Sequence, residues 1–235
     1  NNVELAYTAG STKTGMSAAE ISSTTAATTA QFRIVGFSTD PDNSTTGSGY
    51  SIDLGGGNDV VSVTNNADGD AVILSINGGT GIDEVKFETG LDYWFSNLSL
   101  SNVEFLEFTG GSNSTKLPSN VLSGKTYNLS ENGTGNLTLD LLATNQIIDL
   151  SNLALDNSIQ SSSDKIFVNG TNFSQGLIVT TSEIIDEVNG TISFGDTIST
   201  NDGNDIIRGY GGNDTITPGN GADQVTPGLG NDTIN

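Results

Sequence analysis

The chain has 235 residues, enough to bury the core of one large all-β domain or two smaller ones. It carries 28 acidic and 7 basic side chains, a net charge of −21, which argues against electrostatic binding to nucleic acid or an anionic membrane surface. Cysteine and histidine are both absent, which excludes disulfides, thiolate or imidazole metal sites, and Ser-His-Asp or Cys-His catalysis, so any bound metal must be a hard, oxygen-seeking cation such as calcium.

Residues 1–50 are the hardest to read. The stretch "SAAEISS" places Ser17 three residues before Glu20, the spacing of a capping box on a short helix. "AQFRIVGF" (30–37) reads as a strand and "STDPDNSTTGSG" as a loop. Asp40, Asp42 and Asn43 in that loop read as a solvated turn, with a cation site as the alternative. There is no signal peptide and no apolar run long enough to span a membrane. The chain opens without methionine and closes at the end of a repeat, so a fragment or processed piece of a longer protein is expected.

From residue 51 to about 190 the texture changes. "SIDLGGGNDVVSV", "DAVILSINGGTGIDEVKF", "NVEFLEFTG", "GNLTLDLL", "NQIIDLSNLAL", "DKIFVNG" and "GLIVTT" are short β-rich runs separated by Gly, Asn and Asp turns. Such spacing predicts a parallel β-solenoid, with a sandwich as the alternative. In a solenoid each coil stacks on the next and buries ladders of Val, Ile and Leu. Leu137, Leu139 and Leu141 alternate with Thr138 and Asp140, which face the other way. "TTSEIIDEV" fits either a helical turn or a strand. Asn-X-Ser/Thr sequons, as at Asn97, Asn132 and Asn169, are what chance produces in a chain this rich in Asn, Ser and Thr.

Residues 191–235 fall into nines. "TNDGNDIIR" (200–208), "GYGGNDTIT" (209–217), "PGNGADQVT" (218–226) and "PGLGNDTIN" (227–235) align without a gap. The fourth position is Gly203, Gly212, Gly221 and Gly230, and the sixth is Asp205, Asp214, Asp223 and Asp232. The eighth is Ile207, Ile216, Val225 and Ile234, and Asn204, Asn213 and Asn231 fill the fifth. A degenerate copy, "TISFGDTIS" (191–199), keeps Asp196 but has Phe194 in place of the glycine.

A triplet with one central aliphatic makes a very short strand with one inward side chain. The six residues before it turn the chain, and glycine supplies the backbone freedom. Two units make a coil, so alternate aspartates stack about 4.8 Å apart, the spacing of strands. Such a column repels itself unless a cation lies between turns, held by carboxylates and backbone carbonyls. Calcium is expected between Asp205 and the 218–226 turn, and between Asp214 and the 227–235 turn. The competing explanation is a set of ordinary Gly-Asn-Asp hairpin turns.

"GGTGIDEVK" (78–86) resembles the RTX nonapeptide G-G-x-G-x-D-x-U-x at every defined position, and "LGGGNDVVS" (54–62) does so except at Leu54. Gly57, Asp59, Gly81 and Asp83 are the matching site residues there, and the four terminal repeats are variants of the same unit. The terminal repeats depart from the pattern at Pro218 and Pro227 in the first position, and at Asn201 and Tyr210 in the second. The resemblance implies a calcium-loaded parallel β-roll, type I secretion, and folding outside the cell. "LSNVEFLEFTGG" and "IIDLSNLAL" look like irregular solenoid stretches of calcium-dependent bacterial surface-layer proteins and large RTX adhesins.

The expected fold is all-β: a mainly parallel β-solenoid over 51–190, preceded by an N-terminal segment, with an RTX β-roll over 191–235. The expected function is a calcium-binding structural protein of the bacterial cell surface that self-assembles into a surface layer in a calcium-dependent way. The alternative is an RTX adhesin or ligand-binding module, with Tyr93, Trp94 and Phe95 as its aromatic cluster and a cell-surface polysaccharide as a partner. An enzyme is not expected. Neither H-E-x-x-H nor G-x-S-x-G occurs, and Arg33, Lys86, Lys116, Lys125, Lys165 and Arg208 are scattered as surface charges.

Overall fold

The computed structural model of the chain describes residues 2–6, 20–22, 31–35, 49–64, 73–88, 93–94, 97–109, 113–133, 136–159 and 164–235. Its strands form four sheets, of seven, seven, five and four strands. All the strand pairings of these sheets are parallel, and each joins residues of one coil to those of the next, so the fold is a parallel β-solenoid ending in a β-roll. Among the described residues helix is confined to two short 3-10 turns, Ser119–Val121 and Asn157–Ile159.

The cross-section changes along the axis. Early coils alternate between two sheets, one containing Gln31–Val35 and Val60–Thr64, the other Gly49–Asp53 and Ile73–Asn77. A third sheet then enters, from Tyr93–Trp94 through Asn113–Pro118 and Leu137–Leu142 to Gln224–Thr226. The first sheet ends at Ala154–Leu155. From there the chain alternates between the third sheet and a fourth that runs from Ile147–Asp149 to Thr233–Ile234. Coil length falls with this change. Leu137 is tied to Asp164 27 residues on, Asp186 to Asp205 19 on, and Asp205 to Asp223 18 on.

The core is a set of inward ladders. Val61, Val85, Leu106 and Leu129 lie in register and are all fully buried. Phe87 and Phe108 stack beside them, ring centroids 5.2 Å apart. Leu141, Val168, Val188 and Ile207 make the equivalent ladder in the third sheet. Strand Leu137–Leu142 buries alternate residues, as its leucine spacing requires.

On the outer face, basic side chains join coils. Lys165 Nζ lies 2.9 Å from Glu187, and Arg208 Nη1 lies 2.6 Å from the other oxygen of the same carboxylate. Lys86 sits between Glu84 and Glu107. Three of the scattered bases are therefore cross-coil ion pairs.

Two local expectations are resolved differently or more sharply. Glu20–Ser22 is a strand, not the start of a helix, because it pairs with Ser51–Asp53 in a parallel ladder and that pairing overrides a local capping signal. Ile185–Asn189, within the ambiguous "TTSEIIDEV", is also a strand. Asp40, Asp42, Asn43 and Phe95 lie outside the described residues, as do the side chains of Tyr93 and Trp94.

Candidate metal centre

In residues 191–235 the nonapeptide becomes a turn followed by a strand at positions seven to nine, as in Ile206–Arg208 and Thr215–Thr217. The eighth-position residues Ile198, Ile207 and Ile216 are buried. Two repeats make one coil, so the sixth-position aspartates form two columns.

In one column the N–H of Asp205 donates to Oδ1 of Asp223 at 3.0 Å. In the other, Asp196 N–H donates to Asp214 Oδ1 at 2.8 Å and Asp214 N–H to Asp232 Oδ1 at 2.9 Å. One carboxylate oxygen thus ties each coil to the coil before it. The other oxygens of Asp205 and Asp214 are buried and accept no hydrogen bond from the protein. An ionised oxygen left that way is costly unless a cation neutralises it. Asp196 is the least open of the set: Leu177 N–H donates to one of its oxygens and Thr191 N–H to the other, both at 2.7 Å.

The backbone of the turns is shaped to the same end. Gly203, Gly212, Gly221 and Gly230 have φ between 124 and 149°. A Cβ on Gly221 would lie 1.5 Å from the carbonyl oxygen of Gly203, so the fourth-position carbonyl of one coil is presented to the turn of the next. The two non-glycine second positions keep this path. Asn201 and Tyr210 hold left-handed φ of 58° and 69°, as Gly219 and Gly228 do in the coil above. The asparagines at position five clamp coils: Asn204 Oδ1 accepts the N–H of Ala222 at 2.8 Å, and Asn213 Oδ1 that of Asn231 at 2.9 Å.

The two upstream copies stack directly on each other. Asp59 N–H donates to Asp83 Oδ1 at 2.8 Å, and Asp83 N–H to Glu104 Oε2 at 2.8 Å. A Cβ on Gly81 would fall 1.8 Å from the Gly57 carbonyl, the relation seen between Gly221 and Gly203. Oδ2 of Asp83 is buried without a hydrogen-bond partner. The lone motifs of the sequence are therefore neighbouring turns of one column, completed by Glu104.

Burial raises the pKa of Asp83, Asp205 and Asp214, with neighbouring carboxylates adding to it. Such groups favour a bound proton or a bound cation. Among the described residues no three acidic side chains converge, so an ion bound here would have to draw on one carboxylate per coil together with backbone carbonyls. An all-oxygen set of this kind fits calcium.

Sequence reasoning missed two members of these columns. Glu104 replaces an aspartate with a longer side chain, so no motif marks it. Asp164 ties coils in a similar way, accepting the N–H of Leu137 at 2.9 Å, but it stands two places before Ile166, the residue in register with Asp186, and so lies outside the column. Asp186 sits directly below Asp205 and donates its N–H to Asp205 Oδ1 at 2.8 Å. Its signal was present: Asp186 precedes Val188 by two, as each sixth-position aspartate precedes its aliphatic, but one extra residue, Gly190, breaks the register of nine. Asp186 has a pKa well above the ordinary aspartate value, burial being the chief cause.

The family model of the RTX calcium-binding nonapeptide repeat (4 copies) matches residues 192–225 and 200–234. No curated protein and no solved structure matches the chain.

Proposed function

We propose that this chain, which carries RTX calcium-binding repeats at its C-terminal end, is a calcium-dependent structural segment of a bacterial cell-surface protein that self-assembles into a surface layer. The observation that carries the reading is the pair of aspartate columns with buried, unpartnered carboxylate oxygens at Asp205 and Asp214. Asp205, with the carbonyl of Gly203, would hold one ion against the 218–226 turn. Asp214, with that of Gly212, would hold another against the 227–235 turn. Asp59, Asp83, Gly57 and Gly81 would do the same upstream. Calcium supplies the positive charge that lets the carboxylates stack. Without it, repulsion within a chain of net charge −21 keeps the coils apart.

Self-association has its own support. The turns of the repeats at 191, 209 and 227 expose Ile192, Phe194, Tyr210 and Leu229, at 59, 44, 38 and 81%. These turns lie on one side of successive coils and are uncharged apart from their metal-facing aspartates. On a strongly acidic chain, an uncharged apolar strip is where a second copy meets least repulsion. The reading includes export by a type I system, folding outside the cell and no catalytic step. Among the described residues no helix is long and apolar enough to cross a membrane.

The same exposed Phe194 and Tyr210 favour one second reading, an adhesin module that stacks a cell-surface polysaccharide on these rings. Calcium titration of metal-free protein, followed by far-UV circular dichroism and light scattering together, separates the two. A transition to β-structure with growth into large assemblies supports the surface layer. The same transition without growth moves the reading to the adhesin. No transition removes both.

A further inference from the structure

The aspartate column of the third sheet does not begin at the recognisable repeats. In register, Leu139 faces Ile166 and Ile166 faces Asp186, which hands on to Asp205 and then Asp223. An apolar ladder becomes a carboxylate ladder at Asp186. That residue is fully buried, with Ile166 on one side and Asp205 on the other. Its Oδ2 accepts the hydroxyl of Thr181, whereas its Oδ1 has no hydrogen-bond partner. Two further buried oxygens nearby in the chain are also unpartnered: Oγ of Ser182, four residues earlier, and Oδ2 of Asp205, one coil on.

The backbone repeats the relation seen in the nonapeptide turns. Ile184 stands two residues before Asp186, as Gly203 stands before Asp205. A Cβ on Gly203 would lie 2.4 Å from the Ile184 carbonyl oxygen, just as one on Gly221 would meet that of Gly203. The carbonyl is thus offered to the next coil although residues 181–189 contain no glycine at all.

We propose that Asp186, Ser182 and Asp205 form a further calcium site between the 181–189 and 200–208 turns, outside the matched repeats. It rests on the calcium-binding reading above and extends it to a coil with none of the nonapeptide's glycines. Four oxygens are available: Oδ1 of Asp186, Oγ of Ser182, the Ile184 carbonyl and Oδ2 of Asp205, the last shared with the ion proposed against the 218–226 turn. They are hard donors suited to calcium and unsuited to softer metals. The ion would neutralise the first buried charge of the column, where Ile166 offers none of the polar contacts that later aspartates receive.

The test is equilibrium dialysis of the full chain against calcium, comparing the wild type with Asp186→Asn. Asparagine can still accept from Thr181 while losing the anionic oxygen. The variant is expected to bind one ion fewer per chain, with the remaining sites unchanged. An unchanged count in a wild type that binds calcium overturns this site and leaves the nonapeptide sites standing. A wild type that binds none overturns both. If the variant does not fold in calcium, wild-type crystals soaked in terbium decide. An anomalous peak between Asp186 and Asp205 supports the site. Peaks at the 218–226 and 227–235 turns without one there overturn it, leaving only a proton or a water at Asp186.

Discussion

The N–H of Asp196 donates to Oδ1 of Asp214, 2.8 Å away and 18 residues on, while Oδ2 of Asp214 stays buried and unpartnered. The two oxygens of one carboxylate thus differ, one holding the previous coil and one open to the ion proposed above. Asp214→Asn should separate them. The amide oxygen can keep the bond from Asp196, and the NH2 group cannot ligate a cation. Calcium affinity at that turn is expected to fall at least about tenfold, ~1.4 kcal/mol. Calorimetric titration measures it, and an unchanged isotherm would remove Asp214 from the ligand set.

Gly221→Ala tests the backbone of the turns. Gly221 has φ of 149°, and a Cβ there would be 1.5 Å from the Gly203 carbonyl oxygen. The strained conformation alone costs about 1–3 kcal/mol in a non-glycine residue. The displaced carbonyl should weaken calcium binding as well. Thermal melts at saturating calcium should show a clearly lower Tm, and a melt matching the wild type would mean that the turn has room the geometry denies.

Glu187→Gln removes the carboxylate shared by Lys165 and Arg208. Both bases are more than a third exposed, so the loss should be no more than about 1 kcal/mol. It should shrink further as salt is added. Denaturant unfolding at low and high salt reads this directly. An effect that grows with salt would contradict an electrostatic origin.

Acid should act in opposite directions on the metal-free and calcium-loaded chains. Asp83, Asp186, Asp205 and Asp214 all have raised pKa, burial being the first cause. The folded metal-free chain therefore binds protons more tightly than the unfolded one. Its penalty is absent below the ordinary aspartate value of 3.8 and grows as pH rises through the raised native values. Metal-free protein should thus lose stability from acid to neutral pH. In calcium the carboxylates are ionised and liganded, so protons compete with the ion and stability should fall as pH drops. Tm against pH, with calcium and with chelator, tests the crossing. Parallel curves would mean that these carboxylates do not hold the metal.

Much of the C-terminal segment was legible because its physics is local. A glycine every ninth residue, an aspartate two places after it and an aliphatic two places after that fix the turn, the column and the core in one short pattern. The upstream pairing of Asp59 with Asp83 was only half visible, since their separation of 24 residues follows no period. Asp186 was hidden by a single inserted glycine, and Glu104 by a side chain one methylene longer. The change from two sheets to three and back was not legible, because it depends on which coil each short strand joins. The strand at Glu20–Ser22 shows the same dependence, its pairing with Ser51–Asp53 outweighing a cap-like sequence.

The eighteen-residue coil also sets how such a molecule lengthens. Its two nonapeptides are not equivalent: the turns at 191, 209 and 227 carry Ile192, Phe194, Tyr210 and Leu229, and the turns between them carry Asp202, Asn204 and Asn220. Duplicating or losing one nonapeptide would still leave every strand a parallel partner, but from a different repeat, and would hand the remaining turns to the opposite flank, mixing greasy and polar sides. Duplicating two preserves both flanks. Selection that maintains the apolar flank would therefore accept length variation among relatives in steps of eighteen residues and reject steps of nine, although nine is the period that the eye finds first.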